Sequence, residues 1–153
     1  MHNKPRTRTI GASMLKNLSP LLSPDLLHAL ASMGHGDEVV IVDAHFPATT
    51  HARRLIQLPG IAADAVLDAV LSVLPLDDYM ANATFTMQVV GNADAVPEAV
   101  ADFRSTLARH GAPAPAALTR QVFYERAARA FAIVQTGETR TYGNIVLAKG
   151  VVA

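Results

Sequence analysis

Residues 39–42 read Val-Val-Ile-Val, four β-branched apolar side chains in succession. A run this short and this apolar is typical of a strand buried on both faces of a sheet. The loops on either side carry ionisable side chains, namely His35, Asp37 and Glu38 before it and Asp43 and His45 after it. Such groups are costly to bury and natural at a site that moves protons or binds a polar ligand. Residues 142–144, Tyr-Gly-Asn, lead into another apolar run and are expected to complete the same site.

Helix-like and strand-like segments alternate along the rest of the chain. Ser23, Pro24 and Asp25 predict a helix start with serine at the N-cap, and Gly34 is expected to end that helix. The other expected segments are strands at 54–58 and 84–90, helices at 62–74, 97–110 and 123–131, a loop at 112–117, and a closing hairpin at 133–136 and 144–148. The alternation predicts an α/β fold, a three-layer α/β/α sandwich, and the hairpin makes its central sheet mixed.

Length and composition predict one folded domain. The chain has 153 residues, of which 50% are hydrophobic and 17% charged, and this is ample material for a core. Residues 1–13 are polar and show no periodicity, so they are expected to be a disordered or extension segment. The single domain is expected to occupy residues 14–153.

Charge and cysteine content narrow the range of partners. The formal net charge is zero, and Lys4, Arg6 and Arg8 lie in the N-terminal segment, which leaves about −3 for the remainder. Such a body is a poor nucleic-acid binder, because duplex binding depends on phosphate neutralisation. The absence of cysteine excludes thiol catalysis and fits a reducing cytoplasm. No apolar run reaches the ~18 residues of a membrane span, so neither nucleic acid nor membrane is an expected partner.

Several familiar catalytic motifs are missing from the sequence. It contains no glycine-rich dinucleotide fingerprint, no phosphate-binding loop, no zinc-protease helix and no serine-hydrolase elbow. The chemistry that remains is independent of nucleotides and needs no cofactor, or the chain is a plain binding protein.

A set of longer motifs runs through most of the chain in a fixed order. They are Met-Leu-Lys at 14–16, Leu-Ser-Pro-Asp-Leu-Leu at 22–27, Met-Gly-His-Gly-Asp-Glu at 33–38, Asp-Ala-His-Phe-Pro at 43–47, Phe-Tyr-Glu-Arg-Ala at 123–127, Ala-Phe-Ala-Ile-Val at 130–134, Thr-Gly-Glu at 136–138 and Tyr-Gly-Asn-Ile-Val-Leu at 142–147. This set resembles the L-fucose mutarotase branch of the RbsD/FucU family, whose other branch is the D-ribose pyranases. The agreement is looser at 48–60 and 92–118.

The resemblance implies a cytoplasmic isomerase without metal or other cofactor. It also implies a ring-shaped homo-oligomer, typically a decamer, with sites where neighbouring subunits meet and a monosaccharide, L-fucose, as substrate. Carried over residue by residue, the family's proton-donor histidine falls on His35, and Tyr142 is the second candidate acid–base group. The implied ligand-binding residues are Asp43, Arg120, Tyr142, Gly143 and Asn144. Of these, Arg120 favours the fucose branch over the ribose branch.

Mutarotation suits these side chains. It interconverts α and β anomers through the open-chain aldehyde by general acid–base catalysis, for which neither metal nor redox cofactor is needed. Histidine, with an unperturbed pKa of ~6.5, can take and give a proton near neutral pH. Asp43 at the end of a strand also suits a turn that its own side chain starts.

Three other functions remain open on the sequence. The first is a D-ribose pyranase activity on the same fold. The second is a non-catalytic monosaccharide-binding or transport-accessory protein, since fold alone does not prove chemistry. The third is a metal-dependent isomerase or hydrolase that uses His35, Asp37, Asp43 and His45 as ligands, although these residues match no known ligand motif.

Overall fold

The computed structural model describes residues 15–153, so the expected N-terminal segment at 1–13 and Met14 lie outside the described residues. The described part contains one six-stranded sheet with helices packed against it. In chain order its elements are α1 (Pro24–Ser32), β1 (Glu38–Val42), α2 (Ala48–His51), β2 (Leu55–Leu58), α3 (Ala63–Leu71), β3 (Thr84–Met87), α4 (Glu98–Arg109), β4 (Ala116–Leu118), α5 (Arg120–Arg129), β5 (Ala132–Thr136) and β6 (Ile145–Ala148). Among residues 15–153, no helix is both long enough and apolar enough to span a lipid bilayer.

The sheet is built around β1, the apolar run at 39–42. Its strand order is β2-β5-β1-β6-β3-β4. β1 pairs in parallel with β5, where Val40 lies opposite Ile133, and antiparallel with β6, where Val40 lies opposite Val146. The pairs β2–β5 and β3–β4 are parallel, and β3–β6 is antiparallel. The predicted mixed sheet is therefore confirmed.

Helices cover both faces of this sheet. Val39 and Ile41 belong to a hydrophobic cluster that contains residues of α1, α3 and α4, whereas Val40 and Val42 belong to a second cluster with residues of α2 and α5. Successive strand residues point to opposite faces, so a strand can be apolar throughout only when both faces are covered. The predicted three-layer α/β/α sandwich is confirmed.

The start of α1 follows from the local sequence. The Ser23 hydroxyl accepts a hydrogen bond from the Leu26 backbone N–H at 3.3 Å, and Pro24 occupies the first helical position. Serine satisfies a backbone donor that has no partner within the first turn, and proline lacks the donor altogether. The predicted N-cap is confirmed.

The end of α1 differs from the expectation. Met33 ends the helix with an extended backbone, and the Gly34 N–H donates to the Asp37 carboxylate at 2.8 Å. The last carbonyls are capped by a distant side chain, because Lys149 Nζ donates to the backbone oxygens of Leu30 at 2.7 Å and Met33 at 2.6 Å. A cation at the helix C-terminus also complements the helix dipole. Gly34 therefore lies at the expected position, directly after the C-cap, but it lacks the left-handed backbone usual for such a glycine, and that part of the expectation is wrong.

The expected closing hairpin does not form either. β5 and β6 run in opposite directions, but β1 lies between them and pairs with both. A strand without solvent-facing side chains is most stable at the centre of a sheet, where both of its edges are hydrogen-bonded. Strand periodicity reports burial and carries no information about which strand is the neighbour.

Other element bounds also differ from the expectation. The strand expected at 84–90 ends at Met87, and the helix expected at 62–74 ends at Leu71. The expected loop at 112–117 contains the start of β4, a three-residue strand at the sheet edge, where prolines are tolerated. The helix expected at 123–131 begins earlier, because the Thr119 hydroxyl caps it by accepting from the Val122 N–H at 3.3 Å. The short helix α2 was not expected.

Candidate functional site

The ionisable residues around β1 lie at opposite ends of the sheet. His35 precedes the strand and Asp43 follows it, and the four steps from Glu38 to Val42 alone span about 13 Å at ~3.3 Å per residue. Because β6 is antiparallel to β1, residues 142–144 lie beside Asp43 and not beside His35. The structure thus brings Asp43 and the Tyr-Gly-Asn segment together within one chain and leaves His35 apart from them.

Asp43 is buried, with 3% of its surface exposed. One carboxylate oxygen accepts from the backbone N–H groups of His45 at 3.0 Å and Phe46 at 2.9 Å, as in a side-chain-started turn. The other accepts from the Gly143 N–H at 3.1 Å. These three bonds use part of the carboxylate's capacity of about four acceptor sites. Asp43 therefore shapes its own loop and ties it to the Tyr-Gly-Asn segment.

Asn144 completes this connection. Its Oδ1 accepts from the Asp43 backbone N–H at 2.9 Å, and the side chain is buried. Its Nδ2 has no hydrogen-bond partner among residues 15–153. An amide can donate and accept at once, so Asn144 is able to bind the loop with one end and a ligand hydroxyl with the other.

Tyr142 holds an unusual backbone conformation. Its φ of 61° lies in the left-handed region, which a bulky side chain adopts at a cost of roughly 1–3 kcal/mol. The phenolic oxygen accepts from the Val90 N–H at 3.1 Å. The hydroxyl hydrogen finds no acceptor in the described part of the chain. Tyr142 is therefore oriented by a backbone donor and remains able to donate a hydrogen bond.

Next to Tyr142, the chain has no room for a side chain. A Cβ at Gly143 would lie 2.8 Å from Glu138 Cγ and 3.4 Å from Asp43 Cβ. Only glycine lets the Tyr-Gly-Asn segment approach Asp43 closely enough for the Gly143 N–H to donate to the carboxylate. Gly143 thus has a packing role in the structure, and its expected contact with the ligand stays a prediction.

Glu138 and Arg140 form an ion pair next to the Tyr-Gly-Asn segment. The buried Glu138 carboxylate accepts from Arg140 Nη2 at 3.0 Å and Nε at 3.2 Å, and Arg140 Nη1 also donates to Asp102 at 2.7 Å. The hydrogen bonds from Arg140 lower the pKa of the Glu138 carboxyl against the effect of burial. The pKa of Arg140 is raised, first by Glu138 and then by Asp102. Both side chains therefore stay charged, and their hydrogen bonds are of the strong, charge-assisted kind.

Asp43, Tyr142 and Asn144 lie around a cavity of about 240 Å³ at the C-terminal end of β1. Arg120, the first residue of α5, lies on its wall with its guanidinium 5.3 Å from the centre of the Tyr124 ring. Polar groups and aromatic rings line the cavity together, a composition common in sites for small polar ligands. Its lining residues are Asp43, His45, Phe46, Met87, Val90, Arg120, Tyr124, Thr141, Tyr142 and Asn144.

His35 has a different environment at the other end of β1. Its Nε2 is 3.1 Å from Asp77 Oδ1, and its ring packs edge-on against Tyr79 with centroids 4.7 Å apart. The His35 side chain is 42% exposed, whereas that of Asp77 is 6% exposed. The Tyr79 backbone N–H, followed by His35, lowers the pKa of the Asp77 carboxyl.

No local pattern in the sequence points to Asp77 or Tyr79 as partners of His35. They lie 42 and 44 positions beyond His35, in a polar loop after α3, and only the fold brings them to it. The hydrogen bond from the Val90 N–H to Tyr142 could not be predicted either, because a backbone N–H does not depend on the residue type.

The residues considered as metal ligands do not assemble into a metal centre. Among residues 15–153, no group of three or more histidine, cysteine, aspartate or glutamate side chains is arranged to hold a metal ion. His45 Nε2 instead lies 3.0 Å from the Thr139 carbonyl oxygen, and Asp37 accepts from Gly34.

Comparison with known proteins places this geometry in a family. The model of the RbsD / FucU transport protein family matches residues 16–152. The chain belongs to the RbsD/FucU family. A fucose mutarotase from Bos taurus is 42% identical over 146 residues, which cover 92% of this chain and 95% of the relative.

Solved structures of RbsD/FucU proteins share the fold. The fucose mutarotase of Streptococcus pneumoniae in complex with L-fucose matches with a TM-score of 0.86 and 42% identity, over 91% of this chain and all of that one (100%). RbsD of Bacillus subtilis, complexed with D-ribose, matches with a TM-score of 0.69 and 21% identity over 86% of this chain and 95% of that one. At that identity, the second match speaks for the fold alone.

Proposed function

We propose that this protein is a sugar mutarotase, an isomerase that interconverts the α and β anomers of L-fucose. The observation that carries the proposal is the 42% identity to a fucose mutarotase across 92% of the chain. A cavity with carboxylate, amide, phenol and guanidinium groups in its walls supports it, because sugar hydroxyls need donors and acceptors together.

The reaction asks for one base and one acid. The base removes the anomeric hydroxyl proton, the electron pair of that bond forms the aldehyde C=O, and the bond from C1 to the ring oxygen breaks. The acid gives the ring oxygen its proton, and rotation about C1–C2 followed by the reverse steps closes the other anomer. We assign the two acid–base roles to His35 and Tyr142.

The remaining cavity residues bind the sugar in this proposal. Asn144 offers its Nδ2 to a hydroxyl, and Asp43 keeps acceptor capacity beyond its three backbone bonds. Arg120 offers a fixed fork of donors from the cavity wall. Gly143 lets the segment lie close to Asp43.

A single copy cannot place His35 and Tyr142 on one sugar, since the two lie at opposite ends of β1. We therefore propose that His35 reaches the cavity of a neighbouring copy. A head-to-tail contact of this kind, repeated around an axis, closes into a ring. A ring of ten subunits in the cytoplasm, as the family resemblance implies, is part of the proposal.

Exchange NMR on the anomeric protons of L-fucose tests the activity. The wild type and His110→Gln are expected to accelerate α/β exchange. With His35→Gln, the catalysed exchange rate is expected to fall by about 10²–10⁴-fold, the usual contribution of one general acid or base. His110 is the matched control because it also pairs with an aspartate, Asp68, and neither residue lines the cavity beside Asp43. D-ribose is measured in parallel. Acceleration of ribose alone, or sugar binding without any exchange, would contradict the proposal.

Subunit mixing tests the shared site. His35→Gln and Tyr142→Phe are co-expressed and purified as a mixed oligomer. Random mixing restores both groups in roughly a quarter of the sites if each site takes one residue from each of two copies. The same mixture stays inactive if one chain supplies both residues, and light scattering on the wild type reports the number of subunits.

A further inference from the structure

His45 lines the cavity at the C-terminal end of β1, and the proposed function assigns it no role. It lies in the loop directly after the strand, close to Asp43. Its backbone N–H donates to Asp43 Oδ1 at 3.0 Å, and the N–H of the preceding Ala44 donates to the Glu138 carbonyl at 2.8 Å. Backbone hydrogen bonds thus fix the main chain that carries the His45 side chain.

The imidazole ring of His45 is held at one of its nitrogens. Nε2 lies 3.0 Å from the backbone carbonyl oxygen of Thr139. Because a carbonyl oxygen only accepts hydrogen bonds, Nε2 carries the hydrogen of this contact, and the neutral ring keeps its lone pair on Nδ1. Nδ1 has no hydrogen-bond partner among residues 15–153. His45 therefore offers an oriented hydrogen-bond acceptor at the cavity.

Three other groups in the cavity wall can donate hydrogen bonds to a ligand. They are the Arg120 guanidinium, the Tyr142 hydroxyl and the Asn144 Nδ2. The Asp43 carboxylate accepts, but its hydrogen bonds from three backbone N–H groups use most of its capacity of about four acceptor sites. Every sugar hydroxyl has a hydrogen to donate, and one that is buried without an acceptor weakens binding. A second acceptor in this wall therefore improves the match to a polyhydroxylated ligand.

We infer that His45 binds the sugar, and that its Nδ1 accepts a hydrogen bond from one of the sugar hydroxyls. The inference rests on the proposed function, which places L-fucose in this cavity. The Thr139 carbonyl orients the ring before the sugar arrives, so little side-chain freedom is lost on binding. His45 transfers no proton in this role, because Nε2 keeps its hydrogen and Nδ1 keeps its lone pair. Its removal therefore lowers the affinity for the sugar and leaves the chemical step unchanged.

Two substitutions of His45 separate sugar binding from a purely structural contact with Thr139. The oxygen of an asparagine amide is attached to Cγ, as Nδ1 is, whereas the glutamine amide extends to the position of Nε2. His45→Asn therefore keeps an acceptor for the sugar and loses the bond to the Thr139 carbonyl. His45→Gln keeps a donor for that carbonyl and loses the acceptor for the sugar.

Titration calorimetry with L-fucose measures the consequence. His45→Gln is expected to weaken binding by about 3- to 10-fold, the range for one hydrogen bond between uncharged groups. His45→Asn and the control His110→Gln are expected to stay within about twofold of the wild type. KM for anomer exchange should rise with the dissociation constant while kcat stays unchanged, as for a residue that binds ground state and transition state alike. Wild-type affinity in His45→Gln, or an equally large loss in His45→Asn, overturns the inference.

The ring nitrogens of His45 give a second readout, in the wild-type protein itself. At about pH 9, where ordinary histidines are neutral, ¹⁵N-labelled protein is expected to show a protonated Nε2 and an unprotonated Nδ1 at His45. Saturation with L-fucose should move the Nδ1 signal upfield, as acceptance of a hydrogen bond does. A hydrogen on Nδ1, or an Nδ1 signal that L-fucose leaves in place, overturns the inference even if the enzyme is active.

The two readouts also distinguish this inference from the proposed function. The expected Nδ1 shift and affinities in a protein that does not exchange fucose anomers contradict the mutarotase activity alone. Anomer exchange with wild-type affinity in His45→Gln contradicts the inference alone. A wild type that binds no L-fucose overturns both.

Discussion

The two ends of β1 differ in what they offer to another molecule. At the C-terminal end, Asp43 is 3% exposed, its hydrogen bonds are made, and a cavity lies beside it. At the N-terminal end, His35 is 42% exposed and pairs with Asp77, which lines a different cavity of about 510 Å³. The end with Asp43, which the proposed function makes the receptor end, has its polar groups fixed by hydrogen bonds, and the His35 end presents an exposed histidine held by Asp77. Under the proposed function, the two ends of one sheet supply the two halves of sites shared with different neighbouring copies.

After His35→Gln, the largest effect is expected from Tyr142→Phe at the receptor end. Loss of the phenolic hydroxyl removes one proposed acid–base group and should slow fucose anomer exchange by about 10²-fold, the lower range for such a group. Stability should change little, because Val90, whose N–H loses its acceptor, is 65% exposed and can bond water. Exchange NMR and thermal unfolding measure the two effects. An exchange rate equal to that of the wild type would remove Tyr142 from the chemistry.

Gly143→Ala probes the close packing at the same end. The new Cβ would press on Glu138 and Asp43, and overpacking of this kind costs about 1–3 kcal/mol of unfolding free energy. Fucose affinity should fall as well, since the Tyr-Gly-Asn segment must move away from Asp43. Urea unfolding and sugar titration give the values.

Gly34→Ala is the matched control at the other end. A Cβ there would meet Asp37 at 3.6 Å, an ordinary contact. Its unfolding free energy is expected within about 0.5 kcal/mol of the wild type. Equal destabilisation by the two alanines would contradict the contrast between a packed end and an open end.

Lys149→Met removes hydrogen bonds at the end of α1, next to the loop that carries His35. It removes the two bonds from Nζ to the last carbonyls of α1 and the cation that complements the helix dipole. We expect a loss of about 1–2 kcal/mol in denaturant unfolding, with sugar affinity unchanged. A fall in affinity with full stability would mean that Lys149 acts at the receptor end instead.

The smallest expected effect is a change in the unfolding free energy at acidic pH. The pKa of Glu138 is lowered in the folded protein by the hydrogen bonds from Arg140. A depressed carboxyl pKa contributes stability above the unfolded value of ~4.3, and that stability is lost as the pH falls through the folded value. Glu138→Gln should therefore flatten the decline of unfolding free energy below about pH 4.5. An unchanged acid slope would show that Glu138 does not contribute to it.

Much of the fold was predictable because its signals are local. The apolar run of β1, the Ser23 cap of α1 and the alternation of strands and helices all follow from neighbouring residues. The family motifs also named Asp43 and the Tyr-Gly-Asn segment, which the structure places side by side. Their roles on a sugar remain proposals for the experiments above.

By itself, the sequence determined which segments are buried, where α1 begins and which side chains are chemically capable. The tertiary structure alone decided that β1 separates β5 from β6, that Lys149 caps α1, and that Asp77 reaches His35 across 42 positions. It also decided that His35 and Tyr142 lie at opposite ends of one strand. The physical reason is that periodicity and capping depend on residues a few positions apart, whereas strand order and long-range hydrogen bonds depend on how the whole chain buries its apolar surface.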